Sequence, residues 1–178
     1  PIPLGLLLLT SLLLHLEEGR ADPRGLLCDS RLIQKYINEA KDMESKAGQC
    51  QVMPALSCPA MLPLVDFSLH QWRSQSSKSR QQELLCDLAL LAGAVAVAQG
   101  QVSPKACGAG ELGRLYRQVS FFLQLLQTFG WEAGPWEPGC SPRSQEEIHI
   151  TGIFLTYRQL VQGKLRFFFH DLAKDWCK

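Results

Sequence analysis

The side chains with the most chemical potential in this chain are its seven cysteines, at positions 28, 50, 58, 86, 107, 140 and 177. No two form a CxxC pair, and no cysteine–histidine group has the spacing of a zinc site. Behind a secretory leader, such usage predicts disulfides made in an oxidising compartment, with one thiol left over because the count is odd. Glu146 and His149 form one ExxH, whereas a di-iron bundle needs two such pairs and two more inward glutamates. His70 and His170 have no glutamate three residues earlier. The GxGxxG run Gly108–Gly113 follows a proline-bearing turn, so it lacks the strand that would aim phosphate at a helix N-terminus. No GxSxG nucleophile elbow occurs. The acid pairs Glu146–Glu147 and Glu39–Asp42 read as solvated surface charge. These residues predict no catalytic site, no metal and no cofactor.

The elements around them begin with PIPLGLLLLTSLLLHL, followed by EEGRA. A short apolar run ending in small residues reads as the centre of a secretory signal, cleaved near Ala21, and it is shorter than the roughly 20 residues a bilayer span needs. It carries no initiating Met or basic segment, so the sequence is expected to start inside a precursor. Residues 1–21 are thus expected to be a signal peptide and 22–178 one folded domain of 157 residues, long enough for a sizeable core. Removing the leader shifts the formal charge from +1 to +2. Nothing so near neutral demands nucleic acid or an anionic membrane as partner. The apolar run Leu84–Ala98 is interrupted by Asp87 and is too short to span. Asn38, the only asparagine, heads no glycosylation sequon.

Four helices are predicted. The first starts at Asp29 or Ser30, either of which can cap it, and carries Leu32, Ile33, Tyr36, Ile37, Ala40 and Met43 on one face before closing at Gly48–Cys50. The second runs from about Leu69 to Ala98, polar at first and then apolar nearly all round, as suits a central helix. The third spans about Gly110–Phe129, with Leu112, Leu115, Val119, Phe122, Leu126 and Phe129 in a stripe. The fourth covers about Gly152–Asp175, with Phe154, Tyr157, Val161, Leu165, Phe168 and Leu172 inward. Proline-rich connections of about 20 residues precede the second and fourth helices, long enough to re-cross a helix of about 30 Å. The middle connection is short. Two long crossings and one tight turn predict an all-α, long-chain four-helix bundle of up-up-down-down topology. The alternation Ile148–His149–Ile150 suggests a short strand on the second crossing.

The segments CDSRLIQKY, LPLVDFSLHQW, ALLAGAVAVAQGQVSP and QGKLRFFFHDLAKDWC, in that order and with these cysteine positions, resemble the erythropoietin/thrombopoietin family of helical cytokines, on its thrombopoietin side. The likeness covers about Leu27–Cys177. It implies bridges Cys28–Cys177 and Cys50–Cys107; Cys107 favours the thrombopoietin branch, since the erythropoietin branch lacks a cysteine there. Cys58–Cys86 is expected as a third bridge, with Cys140 as the odd thiol. The resemblance also implies a monomeric, secreted ligand that dimerises or reorients two chains of a class I, thrombopoietin-receptor-like cytokine receptor. Its alternatives are an erythropoietin-like hormone of the same fold and, from another class, a secreted helical lipid carrier.

The same resemblance carries over a first receptor face of Pro63, Asp66 and Phe67 from the first crossing with Lys164 and Arg166 on the fourth helix. Phe67 could alternatively plug the end of the bundle. Asp29, Arg31 and Lys35 match further contact positions on the first helix. A second face would pair the first helix with the third, where Ser120 replaces the family's basic residue and Arg117 could stand in for it. The residues themselves single out Phe167. Phe167, Phe168 and Phe169 sweep about 200° of helix surface, so Phe167 cannot share the stripe of Phe168. It reads either as an exposed hot spot beside Lys164 and Arg166 or as packing beneath a crossing loop.

Overall fold

A short helix, α1 (Pro23–Cys28), leads into the first long one, α2 (Ser30–Gly48). In the computed structural model the residues described are 23–51, 55–128 and 143–178; the expected leader, Phe129 and Cys140 lie outside them. Asp29 caps α2 by accepting the Arg31 N–H at 3.0 Å, which satisfies one of the donors a helix start leaves open. Ile37, Ala40, Met43 and Ala47 then recur at helical spacing and are buried.

The second helix is interrupted, contrary to the continuous element expected from Leu69. α3 (Leu69–Ser74) ends at Gln75, whose backbone is extended, and α4 (Ser77–Gln101) starts afresh with Ser76 accepting the Ser79 N–H at 3.1 Å. The serine-rich stretch supplies side chains that compete for backbone hydrogen bonds and so favour caps over helix interior. The break lets Trp72 turn inward, where it is 3% exposed. By length and composition α4 would suffice to cross a membrane, more than was expected of its apolar run. Here Leu84, Leu88, Leu91, Val95 and Ala98 are wholly buried in the core, each large side chain contributing about 1.5–3 kcal/mol.

α5 (Ala109–Thr128) follows a turn in which Gly108 takes φ 86°, a left-handed conformation glycine adopts without cost. The last rod is α6 (Ile150–Leu160), a π turn over Val161–Leu165, and α7 (Arg166–Trp176). The strand on the second crossing lies earlier than expected, at β2 (Ser144–Glu147), antiparallel to β1 (Ala60–Pro63) with Ala60 opposite Glu147 and Pro63 opposite Ser144. Ile150 instead opens α6 and is buried, its apolar side chain being worth more in the core than on a strand. This two-stranded ladder joins the two long crossings to each other.

Side-chain pairs fix the directions. The end of α2 meets α6 (Glu44 with Arg158), and its start meets the end of α7 through Cys28–Cys177. Along α5 the order is likewise reversed, with Tyr36 against Phe122 and Asp42 against Arg114. α4 runs opposite to both α5 (Gln81 to Leu126) and the last rod (Arg80 to Asp171, Asp87 to Lys164). α2 and α4 are therefore parallel, as are α5 and α6–α7. This is the up-up-down-down four-helix bundle.

The Cys28–Cys177 and Cys50–Cys107 bridges form. The expected Cys58–Cys86 bridge does not. Cys58 is free and exposed, while Cys86 is disulfide-bonded. Geometry forbids the pair. The Gln101 side chain at the far end of α4 bonds the backbone of Cys58, accepting from its N–H at 2.9 Å and donating to its carbonyl at 2.8 Å. Cys86 lies 15 residues earlier on that helix, about 22 Å away at 1.5 Å per residue.

Candidate functional site

Lys164 departs most from expectation. It was expected on the surface beside Arg166, but it is 5% exposed, turned inward on the π turn. Its Nζ donates to Asp87 Oδ2 at 2.7 Å and lies 2.6 Å from Glu83 Oε1. Glu83 in turn accepts from Gln75 Nε2 at 2.9 Å. Burial works against the Lys164 charge, but the bonds to Asp87 and Glu83 outweigh it and hold its pKa above the ordinary lysine value. Burial also raises the more deeply placed Asp87 carboxyl, despite its lysine partner. At Glu83 burial is overcome by the Lys164 and Gln75 hydrogen bonds, which hold its pKa below the ordinary carboxylate value.

The remaining first-face residues are partly brought together. Phe167 stacks on Phe67 at 5.0 Å between centroids, with Arg166 5.7 Å over its ring. Phe67 also meets Trp72 at 6.0 Å, and a Cβ on Gly163 would come within 3.3 Å of it. Phe167 therefore packs beneath the first crossing while keeping a partly exposed edge. Asp66 is exposed beside this stack in sequence, whereas Pro63 is buried in β1. Asp29 joins Arg166 and Phe167 in lining an open pocket of about 390 Å³, together with Leu32, Ile33, Leu125 and Phe169.

Arg31 and Lys35 lie apart from that patch. Arg31 turns back onto its own cap, with Nε 3.0 Å from Asp29 Oδ1; the hydrogen bonds from Arg31 lower the Asp29 pKa. Lys35 sits 3.7 Å from Glu39, in a separate hollow shared with Asp42 and Arg114. Arg117, expected to serve the second face, is exposed, and its guanidinium and the Gln99 side chain both approach Gly113. It thus leans toward the end of α4. The basic residue of α5 that does face α2 is Arg114, 2.9 Å from Asp42 and 3.9 Å from Glu39.

Sequence reasoning passed over Arg114 and the role of Asp87, and signals existed for both. Arg114 stands three residues after Glu111, the spacing of a helical neighbour, and 3.6 Å from it. Asp87 is the one charge in the apolar run Leu84–Ala98, and Lys164 stands three residues after Val161 and four before Phe168, on the inward stripe. Two opposite charges on apolar faces predict a buried pair.

His149 pairs with Glu147, not Glu146, through its backbone N–H at 2.7 Å. Among the described residues no group of three or more His, Cys, Asp or Glu side chains could hold a metal ion. Of the run Gly108–Gly113, Gly108 ends the turn after α4 and the remaining five residues open α5.

The sequence model described as Erythropoietin/thrombopoietin matches residues 25–178. The chain is 35% identical over 163 residues to thrombopoietin of Rattus norvegicus, covering 91% of this chain and 48% of the relative. With thrombopoietin of Canis lupus familiaris it shares 35% over 163 residues, covering 91% and 45%. With erythropoietin of Rattus norvegicus it shares 37% over 175 residues, covering 92% and 91%. The chain therefore spans about half the length of the thrombopoietins and nearly all of the erythropoietin.

Proposed function

Because the chain belongs to the erythropoietin/thrombopoietin family, a family of hormones rather than enzymes that bind class I cytokine receptors, we propose that it is a secreted haematopoietic hormone. In this reading it engages two chains of a thrombopoietin-receptor-like receptor and stimulates growth of the megakaryocyte and thrombocyte lineage. Residues 1–21 act as the secretory signal and residues 22–178 as a monomeric ligand. The observation that carries the reading is the family match across the folded domain, joined to the Cys28–Cys177 and Cys50–Cys107 bridges.

One receptor chain would be met by Arg166, Phe167, Phe67 and Asp66, with Asp29 at the edge of the adjoining pocket. The second would be met by Arg31 and Lys35 with α5. Exposed basic residues chiefly raise the association rate, while the aromatic stack and apolar pocket set dissociation. The deciding experiment is binding to immobilised extracellular domains of the thrombopoietin and erythropoietin receptors, paired with growth of cells carrying one or the other. Binding and growth through the thrombopoietin receptor are expected; binding to neither overturns the reading. An erythropoietin-like hormone is the second reading, favoured by the near-complete coverage of the rat erythropoietin. Growth through the erythropoietin receptor alone would establish it.

A further inference from the structure

The π turn at Val161–Leu165 sits where three parts of the chain converge. Gly163, with φ −100° and ψ −105°, breaks the regular helix there, and Phe67 of the first crossing packs against it so closely that a side chain would press on the ring. One residue later, Lys164 reaches into the bundle to Asp87 and Glu83 of α4. Glu83 is tied through Gln75 to the end of α3, whose Trp72 completes the contact with Phe67. Two and three residues past Lys164, Arg166 and Phe167 are those that meet the outside and the Phe67 ring. A π turn takes in roughly one residue beyond the α-helical turn. At about 100° per residue it therefore sets the direction in which everything after it points.

We propose that Lys164 is a positioning residue: its buried ion pairs with Asp87 and Glu83 hold the π turn and thereby fix Arg166 and Phe167 against Phe67 in the orientation a receptor reads. The inference rests on the first receptor face described above. Lys164 itself touches no receptor, because its ammonium is spent inside the bundle. Apolar residues of similar volume can replace such an ion pair with little loss when all partners are changed together, whereas removing one partner leaves an uncompensated charge.

Two variants of the full chain test this against binding to the thrombopoietin-receptor extracellular domain. Asp87→Asn alters a residue that is 2% exposed and leaves Lys164 in place; it is expected to weaken binding on the order of tenfold, a factor worth about 1.4 kcal/mol. The triple variant Lys164→Met, Asp87→Leu, Glu83→Gln removes the lysine yet refills the site, and is expected to bind within about threefold of the parent, less than 1 kcal/mol. Normal binding by Asp87→Asn together with lost binding by a folded triple variant would overturn the proposal and make Lys164 a direct contact. Arg166→Ala and Phe167→Ala serve as controls. If neither weakens binding, the receptor face is wrong and not the role of Lys164. Amide exchange supplies a reading that needs no receptor: residues 161–169 are expected to exchange faster in Asp87→Asn and at the parental rate in the triple variant. Unchanged exchange in Asp87→Asn would also overturn it.

Discussion

Two seams of this bundle use the same kind of chemistry in different surroundings. Where α2 meets α5, Arg114 reaches Asp42, Glu39 and Glu111, while Lys46 and Lys35 pair with Asp42 and Glu39 on the outside. Every one of those side chains keeps between 23% and 62% of its surface in water. Where α4 meets the π turn, Lys164 and Asp87 keep 6% and 3%. The outer network forms easily and can be lost easily, because water solvates the partners either way. The inner one was expensive to desolvate and so cannot be broken on one side without exposing the fold to an unpaired charge. Charge at the outer seam is available to a partner, and charge at the inner seam is consumed in shaping what the partner meets.

Lys164→Met is the most forceful way to break this contrast. It leaves Asp87 buried without its cation, and a loss of about 3–5 kcal/mol is expected, as for other half-removed buried pairs. Thermal unfolding followed by circular dichroism measures it. A melting temperature within a degree or two of the parent would mean that the inner seam behaves like a surface pair. A variant at this position that binds receptor poorly must accordingly be checked for folding first, since an exposed contact and a buried anchor look alike in a binding assay alone.

A pH titration sharpens the contrast within the inner seam itself. Glu83 has a folded pKa below its ordinary value of 4.5, so its contribution is present above that value and is lost as pH falls through the folded pKa. Asp87, held above its ordinary 3.8 chiefly by burial, works in the opposite sense: its contribution is fully present below that value and fades as pH rises through the folded pKa. The acid limb of stability is the difference between the two. In melts between pH 3 and pH 6, Glu83→Gln is expected to flatten the fall toward acid and Asp87→Asn to steepen it. Parallel slopes in all three proteins would show that the carboxyls do not titrate as a divided pair.

The topology was legible because it follows from chain length and helix length alone: two connections long enough to re-cross the bundle and one that is not. The caps at Asp29 and the stripes of α2, α5 and α6 were legible for the same local reasons. The break at Gln75 was not, because polar serines permit a helix as well as a cap, and only the burial of Trp72 decides between them. The pairing of the third cysteine set failed on distance, a property of the packed helices that sequence spacing does not contain. Lys164 was misplaced through habit of residue type: a lysine reads as surface until the aspartate that receives it, 77 positions earlier, is placed opposite. Phe167 could be narrowed to two readings, and its choice of Phe67 as neighbour required the crossing loop to be in place.

The smallest effect tests the outer seam. Arg114→Ala removes the centre of its network, yet a cost of only about 0.2–1 kcal/mol is expected, the range of exposed pairs. The Arg114 hydrogen bond holds the Asp42 pKa below its ordinary value, and that stabilisation belongs to a charge that salt can screen. At 1 M salt the screening length falls to about 3 Å from about 10 Å at 0.1 M, so the gap between Arg114→Ala and the parent should narrow at high salt while that of Lys164→Met stays. One connection could spoil this simplicity: Glu39 also bonds Gln118, which accepts the hydroxyl of fully buried Tyr157 at 2.7 Å. If Arg114→Ala costs several kcal/mol and ignores salt, the outer network is anchored through Gln118 into the core, and the two seams differ in depth of access and not in kind.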